Sequence, residues 1–423
     1  MLSSDFGLNQ LPIDDDSFIE ENELTRYVAE LDTPRSQKES LEQFKGLYEK
    51  VSLEDWCITE LVFDLGNYIM QKRPDLISLG IRLNVQVNLF LRSIKKYAAD
   101  SDAIFERVGH SIGCFALTEE EAGVLSGLIV ETTFEELEDG FILNTEDSQK
   151  NWISQGVYAE YAIVYAKNKE DKSDIRIFIV NMENDDLEQT PIEELPVNQS
   201  LDMAKLRFNA MKIDKSPCLL EHSKKSTKME LLNGIFFGRY MIAEATISAM
   251  LGLIEHIILE VGQKEKFAKL GFLDYLNKCD DSFYRYKCYL YLNRKRILFD
   301  RENKDSLLET NCLKIYTVEK SIEVFNKLQL MFGMRAATYP LRFENLLLHK
   351  VAEGDTYVLR VSLINNHFKS GALKILTTPG FSLYNIYSIY KLKDKTEKFK
   401  YIMENFKEIS NNIIFGNIPL LDC

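Results

Sequence analysis

The chain has 423 residues and a formal net charge of −14, with 45% hydrophobic and 27% charged residues. This length predicts two or three packed regions rather than one small core, and the composition is typical of a soluble globular protein. The negative charge argues against broad binding to a nucleic-acid backbone, which requires a basic face. A local basic pocket for an anionic cofactor remains compatible with this charge.

The sequence shows no feature of a membrane, secreted or metal-binding protein. The most apolar stretch, "IAEATISAMLGLIEHIILEV", is interrupted by Glu244, Glu255, His256 and Glu260, so we expect no transmembrane segment. The acidic N-terminus lacks the pattern of a signal peptide, and the C-terminus lacks a recognisable targeting motif. Seven scattered cysteines favour reduced thiols, and dispersed histidines predict no metal site. We expect an intracellular protein, cytoplasmic or peroxisomal.

Residues 1–112 are predicted to form an N-terminal helical domain after an acidic leader. Residues 40–51, "SLEQFKGLYEKV", and 58–71, "ITELVFDLGNYIMQ", have apolar residues every three or four positions, which indicates amphipathic helices. Residues 83–98, "LNVQVNLFLRSIKKYA", predict a further packed helix.

Residues 113–226 are predicted to form a middle β domain. Around Asp139-Gly140, β-branched residues on both sides of a turn dipeptide predict a hairpin. The runs "YAEYAIVYAK" and "DIRIFIVNM" predict two strands joined by a charged loop. An acidic loop at 183–195 precedes one further predicted strand in "LDMAKLRFNAMKI".

Residues 227–423 return to a helical pattern and are predicted to form a C-terminal helical bundle with an additional helical tail. The stretch "GIFFGRYMIAEATISAMLGLIEHIILEV" is apolar almost all round, as expected of a buried helix. Further helices are predicted at 282–300, 314–332 and 355–366. Helices, a β region and then a helical bundle make an α+β arrangement.

Four short motifs occur along the chain. They are "GCFALTEEEAG" at 113–123, "KNWISQG" at 150–156, "FGRYMIAEA" at 237–245 and "EGD" at 353–355. In this order and spacing they resemble the acyl-CoA dehydrogenase and acyl-CoA oxidase superfamily over about residues 50–366. Cys114 and "EGD" are closer to the oxidases, although Cys114 itself is interpreted as a small buried hydrophobic residue.

The resemblance implies a fold and an activity. The expected fold has an N-terminal helical domain, a middle β-barrel-like domain and a C-terminal helical bundle. The expected cofactor is FAD, the expected substrate is an acyl-CoA or another acyl thioester, and the expected assembly is a homodimer or a dimer of dimers. The implied reaction is oxidation of the thioester to its trans-2-enoyl product.

This chemistry explains which residues are needed. Removing hydrogens from Cα and Cβ requires a base for the α-proton and a hydride acceptor, and the acceptor must be a cofactor because side chains cannot accept hydride. Hydrogen bonds to the thioester carbonyl stabilise the developing enolate. A glutamate in a dry pocket suits the role of base, because burial raises its pKa towards working pH.

Glu353 matches the family's catalytic glutamate, whose backbone N–H also contacts the thioester carbonyl. Gly354 would let the chain pass close to the substrate, since it has no side chain. Some family members place the base before the arginine of the central helix, but Gly238 occupies that position here. The alternative is that Glu353 is a carboxylate at a helix N-terminus that complements the helix dipole. We favour the base.

The other implied roles concern the flavin and the catalytic carboxylate. Arg239 matches an arginine near that carboxylate, or it pairs with a local acid at a helix start. Trp152 would lie against the flavin ring, or it is a buried strand aromatic. Ser154 would offer a hydroxyl near the reactive nitrogen, and Thr118 would bind the pyrimidine edge. The implied cofactor-binding residues are Phe115, Leu117, Thr118, Gly123, Trp152, Ile153, Ser154, Lys264, Phe267, Gln329 and Gly333.

The sequence departs from the family where the phosphates and adenine should bind. Val124 and Leu125 replace a polar pair, and Lys264 replaces an arginine and so loses its bidentate geometry. A glycine-rich loop is reduced to "QLMFGMR", which keeps Gln329 and Gly333. These departures leave two possibilities, a divergent FAD site or a family member that has lost the cofactor. Two alternative functions stay open, namely a non-catalytic scaffold or partner subunit without cofactor and a flavoenzyme for acyl groups bound to a carrier protein.

Overall fold

The computed structural model of the chain describes residues 22–57, 59–97, 101–119, 130–145, 148–193, 200–214, 219–220, 227–262, 271–299, 306–333, 338–369 and 421. These residues fall into two compact units, one up to Met241 and the other from Ile242 onward. Each unit is described by itself.

The first unit begins with helices. They are α1 (Glu23–Glu30), α2 (Gln37–Tyr48), α3 (Leu53–Trp56), α4 (Thr59–Lys72), a 3₁₀ turn (Pro74–Leu76), α5 (Ile77–Leu83), a π-helical segment (Asn84–Leu91), α6 (Arg92–Tyr97) and α7 (Ser101–Val108). Asn22 caps α1 and Ser36 caps α2 by accepting hydrogen bonds from free backbone N–H groups. The helices predicted at 40–51 and 58–71 are confirmed as α2 and α4.

The stretch predicted as one helix at 83–98 differs in detail, because its first half is π-helical. The altered spacing accompanies buried amide side chains, and one of them reaches the first strand. Gln86 Oε1 accepts a hydrogen bond from Gly113 N at 2.8 Å, and Gln86 Nε2 donates to Ser111 O at 2.9 Å. Apolar periodicity cannot predict a helical register that polar contacts determine.

Ten strands follow in the described residues of the first unit. They are β1 (Gly113–Ala116), β2 (Thr133–Glu136), β3 (Gly140–Asn144), β4 (Lys150–Ser154), β5 (Tyr161–Asn168), β6 (Ile175–Asn181), β7 (Leu187–Pro191), β8 (Met203–Phe208), β9 (Met211–Asp214) and β10 (Leu219–Leu220). The larger sheet has the order β10-β6-β5-β2-β3-β9, with β1 also paired to β5, and the smaller sheet has the order β4-β8-β7. Strands β1 and β2 run parallel to β5, and the other pairs are antiparallel.

The predicted hairpins are confirmed, and two details are corrected. Leu137 N donates to Gly140 O at 2.9 Å across the β2–β3 turn, and β5 pairs with β6 as expected. The single strand predicted in "LDMAKLRFNAMKI" is two strands, β8 and β9, in different sheets. The chain changes sheet at Ala210, which has a positive φ of 51°. The predicted acidic loop at 183–195 contains β7, because edge strands tolerate exposed polar side chains.

Both sheets contribute to one apolar core. Cys114, Phe134 and Phe178 come from the larger sheet, and Ile153 and Leu206 come from the smaller one. Cys114 has no exposed surface, and burial raises the pKa of its thiol, so it is the buried hydrophobic residue predicted from the sequence.

Helices form the rest of the described chain. They are α8 (Thr227–Gly262), which continues from the first unit into the second, α9 (Phe272–Phe299), α10 (Ser306–Phe332), α11 (Phe343–Val351) and α12 (Thr356–Lys369). Helices α9 and α10 begin before the predicted starts at 282 and 314. The mixed order of helices, sheets and helices confirms the α+β class. The predicted tail lies outside the described residues, apart from Leu421.

One stretch of α8, Ile235–Val261, is long and apolar enough to cross a membrane by length and composition. In the most apolar window, 72% of it is buried within the protein. Such burial is what a core helix shows, since a span would present its apolar surface to lipid.

Candidate active site

Glu353 lies in a short loop between α11 and α12. Helix α11 ends at Val351, and Glu353 and Gly354 follow with φ values of 53° and 99°. Glycine adopts this left-handed conformation readily, whereas for another L-residue it costs roughly 1–2 kcal/mol. The Glu353 side chain is half-buried. The loop thus holds one non-glycine residue in a conformation that its own sequence does not favour.

The start of α12 is capped by Asp355. Its Oδ1 accepts a hydrogen bond from Tyr357 N at 2.7 Å, and its carbonyl accepts from Leu359 N at 3.0 Å. Asp355 thus has the N-cap role, two residues beyond Glu353. The alternative interpretation gave Glu353 a different role at the helix start, which was to complement the helix dipole.

A buried lysine of α10 contacts the Glu353 loop. Lys314 has no exposed surface, and its Nζ donates hydrogen bonds to the carbonyl oxygens of Ala352 and Gly354, one on each side of Glu353. Helices α11 and α12 both pack against α10. Helix α10 is therefore the support of this loop.

His349 lies one turn before the loop and is buried. Its Nδ1 is 2.8 Å from Thr246 Oγ1, and that hydroxyl donates its proton to Ile242 O at 2.6 Å. Because the threonine has only one proton, we assign the donor role to His349 Nδ1–H and the neutral form to the ring. Burial and then the positive charge of Lys314 lower the pKa of His349 to about 4.

Trp152, like Glu353, is a predicted site residue with a left-handed backbone conformation. Its φ is 60°, and the β4–β8 register shifts between Lys150 and Ile153, which marks a bulge. Trp152 is 53% exposed, so it is not the buried strand aromatic of the alternative interpretation. The bulge turns one large aromatic face away from the core.

A buried ion pair supports the strand and loop on either side of Trp152. Lys150 Nζ lies 2.6 Å from Glu119 Oε1 and donates to Tyr165 O at 2.8 Å. Glu119 also accepts hydrogen bonds from Thr132 N and Oγ1. Burial alone would raise the pKa of Glu119, but the charge and hydrogen bond of Lys150 outweigh it and hold that pKa below its ordinary value.

The ion pair brings Thr118 beside the bulge. Asn151 N donates to Thr118 O at 2.9 Å, so the residues preceding Glu119 and Trp152 are directly joined. Within the part of the chain that the structure describes, the Thr118 hydroxyl makes no hydrogen bond. Thr118 and Ser154 are both half-buried.

The remaining predicted residues have varied surroundings. The Ile153 side chain is in the apolar core, so only its backbone can face a ligand. Phe115 and Leu117 are half-buried, and Phe115 packs edge-on against Tyr165. Arg239 is buried within α8, which begins at Thr227 rather than near Phe237.

The predicted positions in the second unit are only partly described. Gln329 is half-buried near the end of α10. Gly333 follows that helix with a φ of 57°, the conformation that commonly ends helices at glycine. Gly123, Lys264, Phe267, Val124 and Leu125 lie outside the described residues, and so does Arg335 in "QLMFGMR".

Sequence reasoning missed Lys314, Glu119 and Lys150. A signal existed for Lys314, since it stands among Cys312, Leu313 and Ile315 on a helix, and a lysine within an apolar run requires a buried partner. The partners themselves are backbone carbonyls 38 and 40 residues away, and no pattern in the sequence identifies them.

Comparison with known proteins agrees with this architecture. The family model for the acyl-CoA dehydrogenase middle domain matches residues 114–211, which form most of the β region. No curated protein sequence matches the chain significantly.

Solved structures extend the similarity to most of the chain. Glutaryl-CoA dehydrogenase from Mycobacterium smegmatis aligns with a TM-score of 0.64 and 17% identity, over 81% of this chain and 93% of that one. Butyryl-CoA dehydrogenase from Megasphaera elsdenii aligns with a TM-score of 0.61 and 17% identity, over 84% and 99%. PigA with FAD and proline aligns with a TM-score of 0.62 and 14% identity, over 82% and 96%.

The chain therefore has the fold of the acyl-CoA dehydrogenase superfamily, and its β region matches the family's middle domain. The resemblance stated from the four motifs is confirmed at this level. Its leaning towards acyl-CoA oxidases stays a prediction.

Proposed function

We propose that the protein is a flavoenzyme that oxidises an acyl thioester, an acyl-CoA in the first instance, to the trans-2-enoyl thioester. In this reaction the α-proton passes to the Glu353 carboxylate, the β-hydrogen leaves as hydride, and a Cα=Cβ double bond forms. FAD, when bound, supplies the hydride acceptor that no side chain can provide.

The observation that carries the proposal is the conformation of Glu353. A left-handed backbone at a glutamate is uncommon, and residues in such conformations cluster at functional sites. The ordinary reason for a carboxylate here, capping of α12, is met by Asp355. Glu353 is thus set apart from the helix that follows it, on a loop that α10 supports.

The residues of the first unit suit a flavin. An exposed indole on a bulge offers a flat apolar surface of the kind that stacks on aromatic rings. The Thr118 and Ser154 hydroxyls supply donors and acceptors for the polar edge of such a ring. Structures of similar fold include a glutaryl-CoA dehydrogenase in complex with FADH2 and PigA with FAD and proline, which supports the same choice of cofactor.

Each residue of the proposed site would have its own role in the reaction. Glu353 takes the α-proton, and its backbone N–H donates to the thioester carbonyl, which stabilises the enolate that develops there. Gly354 leaves room for the substrate because it adds no side chain. Trp152, Thr118 and Ser154 hold the flavin ring. Arg239 is proposed to lie near the catalytic carboxylate.

We further propose that the enzyme is nearer to the oxidases than to the dehydrogenases. The support is Cys114 in the first motif and Gly354-Asp355 after the glutamate. Re-oxidation of the reduced protein by air at a rate close to turnover is the expected result. If air leaves the reduced protein unchanged while an artificial electron acceptor re-oxidises it, the dehydrogenase assignment replaces this one.

The first experiment is a visible spectrum of the purified protein before and after reconstitution with FAD. We expect a flavin absorption band that bleaches under argon when an acyl-CoA series is added. Glu353→Gln should keep the flavin band and lose bleaching, since the amide cannot take the proton. Glu344→Gln is the matched control, because Glu344 is exposed on α11.

Other outcomes would assign other functions. A protein that binds no FAD after reconstitution would contradict the proposal and favour the scaffold or partner-subunit alternative. Bleaching with a carrier-protein thioester, but not with the matching acyl-CoA, would keep the reaction and change the substrate. Bleaching by Glu353→Gln at the wild-type rate would remove Glu353 as the base.

A further inference from the structure

Lys314 lies where it can control the conformation of Glu353. It is on α10, its side chain has no exposed surface, and its Nζ donates hydrogen bonds to Ala352 O and Gly354 O. These are the carbonyl oxygens of the residue before Glu353 and of the residue after it. One side chain therefore bridges the peptide group that precedes Glu353 and the peptide group that follows Gly354, and so spans both residues with positive φ.

The bridged segment is the strained part of the loop. Glu353 and Gly354 are consecutive residues with positive φ, and only the second is a glycine. A non-glycine residue stays in the left-handed region when its surroundings require it. The two carbonyls would turn away from each other if Glu353 relaxed to a negative φ, so the bridge by Lys314 opposes that change.

Other contacts hold the two helices at the ends of the loop. Arg360 of α12 forms a two-point ion pair with Glu319 of α10, with distances of 2.5 and 3.2 Å. On the other side, His349 of α11 is hydrogen-bonded to Thr246 of α8. The helices that flank the loop thus have contacts of their own, while the Lys314 hydrogen bonds reach the strained turn.

We propose that Lys314 is a positioning residue, which keeps Glu353 left-handed and thereby keeps its carboxylate pointed in one direction. This inference rests on the proposed function of Glu353 as the base. Lys314 itself touches neither the substrate nor the flavin in this proposal. Its effect on the reaction passes through the backbone of residues 352–354.

The test compares three variants of the full-length protein loaded with FAD. Lys314→Met keeps the length of the side chain and removes every donor. Lys314→Gln removes the charge but keeps two N–H donors that can reach carbonyls. Lys327→Met is the matched control, because Lys327 is exposed on the same helix and pairs with Glu323.

The first measurement is the rate constant of flavin reduction by acyl-CoA under argon, together with the Kd of the acyl-CoA. For Lys314→Met we expect the rate constant to fall about 10- to 100-fold, the range that misplacement of a reacting group produces. The Kd of the acyl-CoA should change by less than about two-fold, because the position of the Glu353 carboxylate contributes little to binding of the substrate in its ground state. Lys314→Gln should recover part of the rate, and Lys327→Met should match the wild type.

The second measurement is amide hydrogen exchange of peptides that cover residues 350–356, which requires neither flavin nor substrate. Lys314→Met should exchange faster there than the wild type, with the rest of α10 unchanged. Wild-type exchange and a wild-type reduction rate in Lys314→Met would overturn the proposal. If Lys314→Met does not fold, Lys314→Gln decides by the same two measurements.

The reduction rate and the hydrogen exchange together distinguish a failure of this inference from a failure of the proposed function. If no thioester reduces the wild-type protein, the proposed function fails, and exchange alone decides whether Lys314 orders the loop. If the wild type is reduced and Lys314→Met loses rate without a change in loop exchange, the positioning role is wrong. A rise in Kd that accounts for the whole loss of activity would also overturn it, because that result indicates a binding role.

Discussion

Four non-glycine residues have a positive φ in the part of the chain that the structure describes, namely Trp152, Gln155, Ala210 and Glu353. Ala210 marks the point where the chain passes from one sheet to the other. Gln155 closes the turn after β4 and donates from Nε2 to Gly113 O at 2.9 Å. Connections of the fold thus account for Ala210 and Gln155. For the other two residues, the motif resemblance implies that Trp152 lies against the flavin and that Glu353 takes the α-proton.

His349 gives a pH-dependent prediction at the residue scale. Its pKa is about 4 in the folded chain and 6.5 in its ordinary state, so the unfolded chain binds more protons between these values. The associated stability is fully present above pH 6.5 and is lost as the pH falls towards 4. The loss should reach roughly 3 kcal/mol, at about 1.4 kcal/mol per unit.

The measurement is the free energy of unfolding in urea at several pH values between 4 and 7, for the wild type and His349→Gln. The difference between the two proteins should shrink as the pH falls, because only the wild type loses the histidine contribution. His256→Gln provides the control, since His256 is exposed on α8. A difference that does not vary with pH would show that His349 is not held neutral by burial.

At the scale of elements, the close pairing of β3 and β9 requires a glycine at the hairpin. A Cβ built on Gly140 would lie 2.2 Å from Ile213 O and 3.2 Å from Ile213 C. Both are backbone atoms of the neighbouring strand, so no side-chain rotation can relieve the contact. The turn dipeptide found in the sequence therefore has a second role, which is to let two strands approach.

Gly140→Ala should destabilise the protein by about 1–3 kcal/mol, the usual range for overpacking. The same substitution at Gly80 in α5 is the control. There the nearest atom to a new Cβ is Ile69 Cγ2 at 4.0 Å, an ordinary contact, and alanine favours a helix by about 1 kcal/mol over glycine. Chemical denaturation of both variants measures the difference. Equal stability losses would show that the β3–β9 approach is not the cause.

At the scale of the whole chain, the first unit joins its helices to its sheets through a buried ion pair. Arg82 of α5 and Asp202, just before β8, have no exposed side-chain surface, and Nη2 lies 2.6 Å from Oδ1. Asp202 also accepts a hydrogen bond from Val157 N at 3.1 Å. The pair links segments 120 residues apart, so the helices and the sheets of this unit are expected to unfold together.

Asp202→Asn should destabilise the protein by about 3–5 kcal/mol, because it leaves the Arg82 charge buried without its counter-charge. Asp214→Asn, at an exposed position at the end of β9, should stay within about 0.5 kcal/mol of the wild type. Urea unfolding measures the loss, and amide hydrogen exchange of peptides from α5 and from β8 at increasing urea follows the helices and the sheets of this unit separately. Exchange that rises at different urea concentrations for the two peptides in the Asp214→Asn control would contradict the joint unfolding of this unit.

The sequence by itself determined the order of helices, sheets and helices and the family resemblance, because apolar periodicity, turn dipeptides and short motifs are local properties. It also indicated Glu353, Trp152 and Thr118 as candidates for the site.

Only the tertiary structure showed what supports those candidates. The left-handed conformations of Trp152 and Glu353, the capping of α12 by Asp355 and the buried contacts of Lys150 and Lys314 depend on residues far apart in the chain. A buried charge is stable only beside a partner, and the fold decides which partner comes within reach. For Lys314 that partner is the backbone on both sides of Glu353.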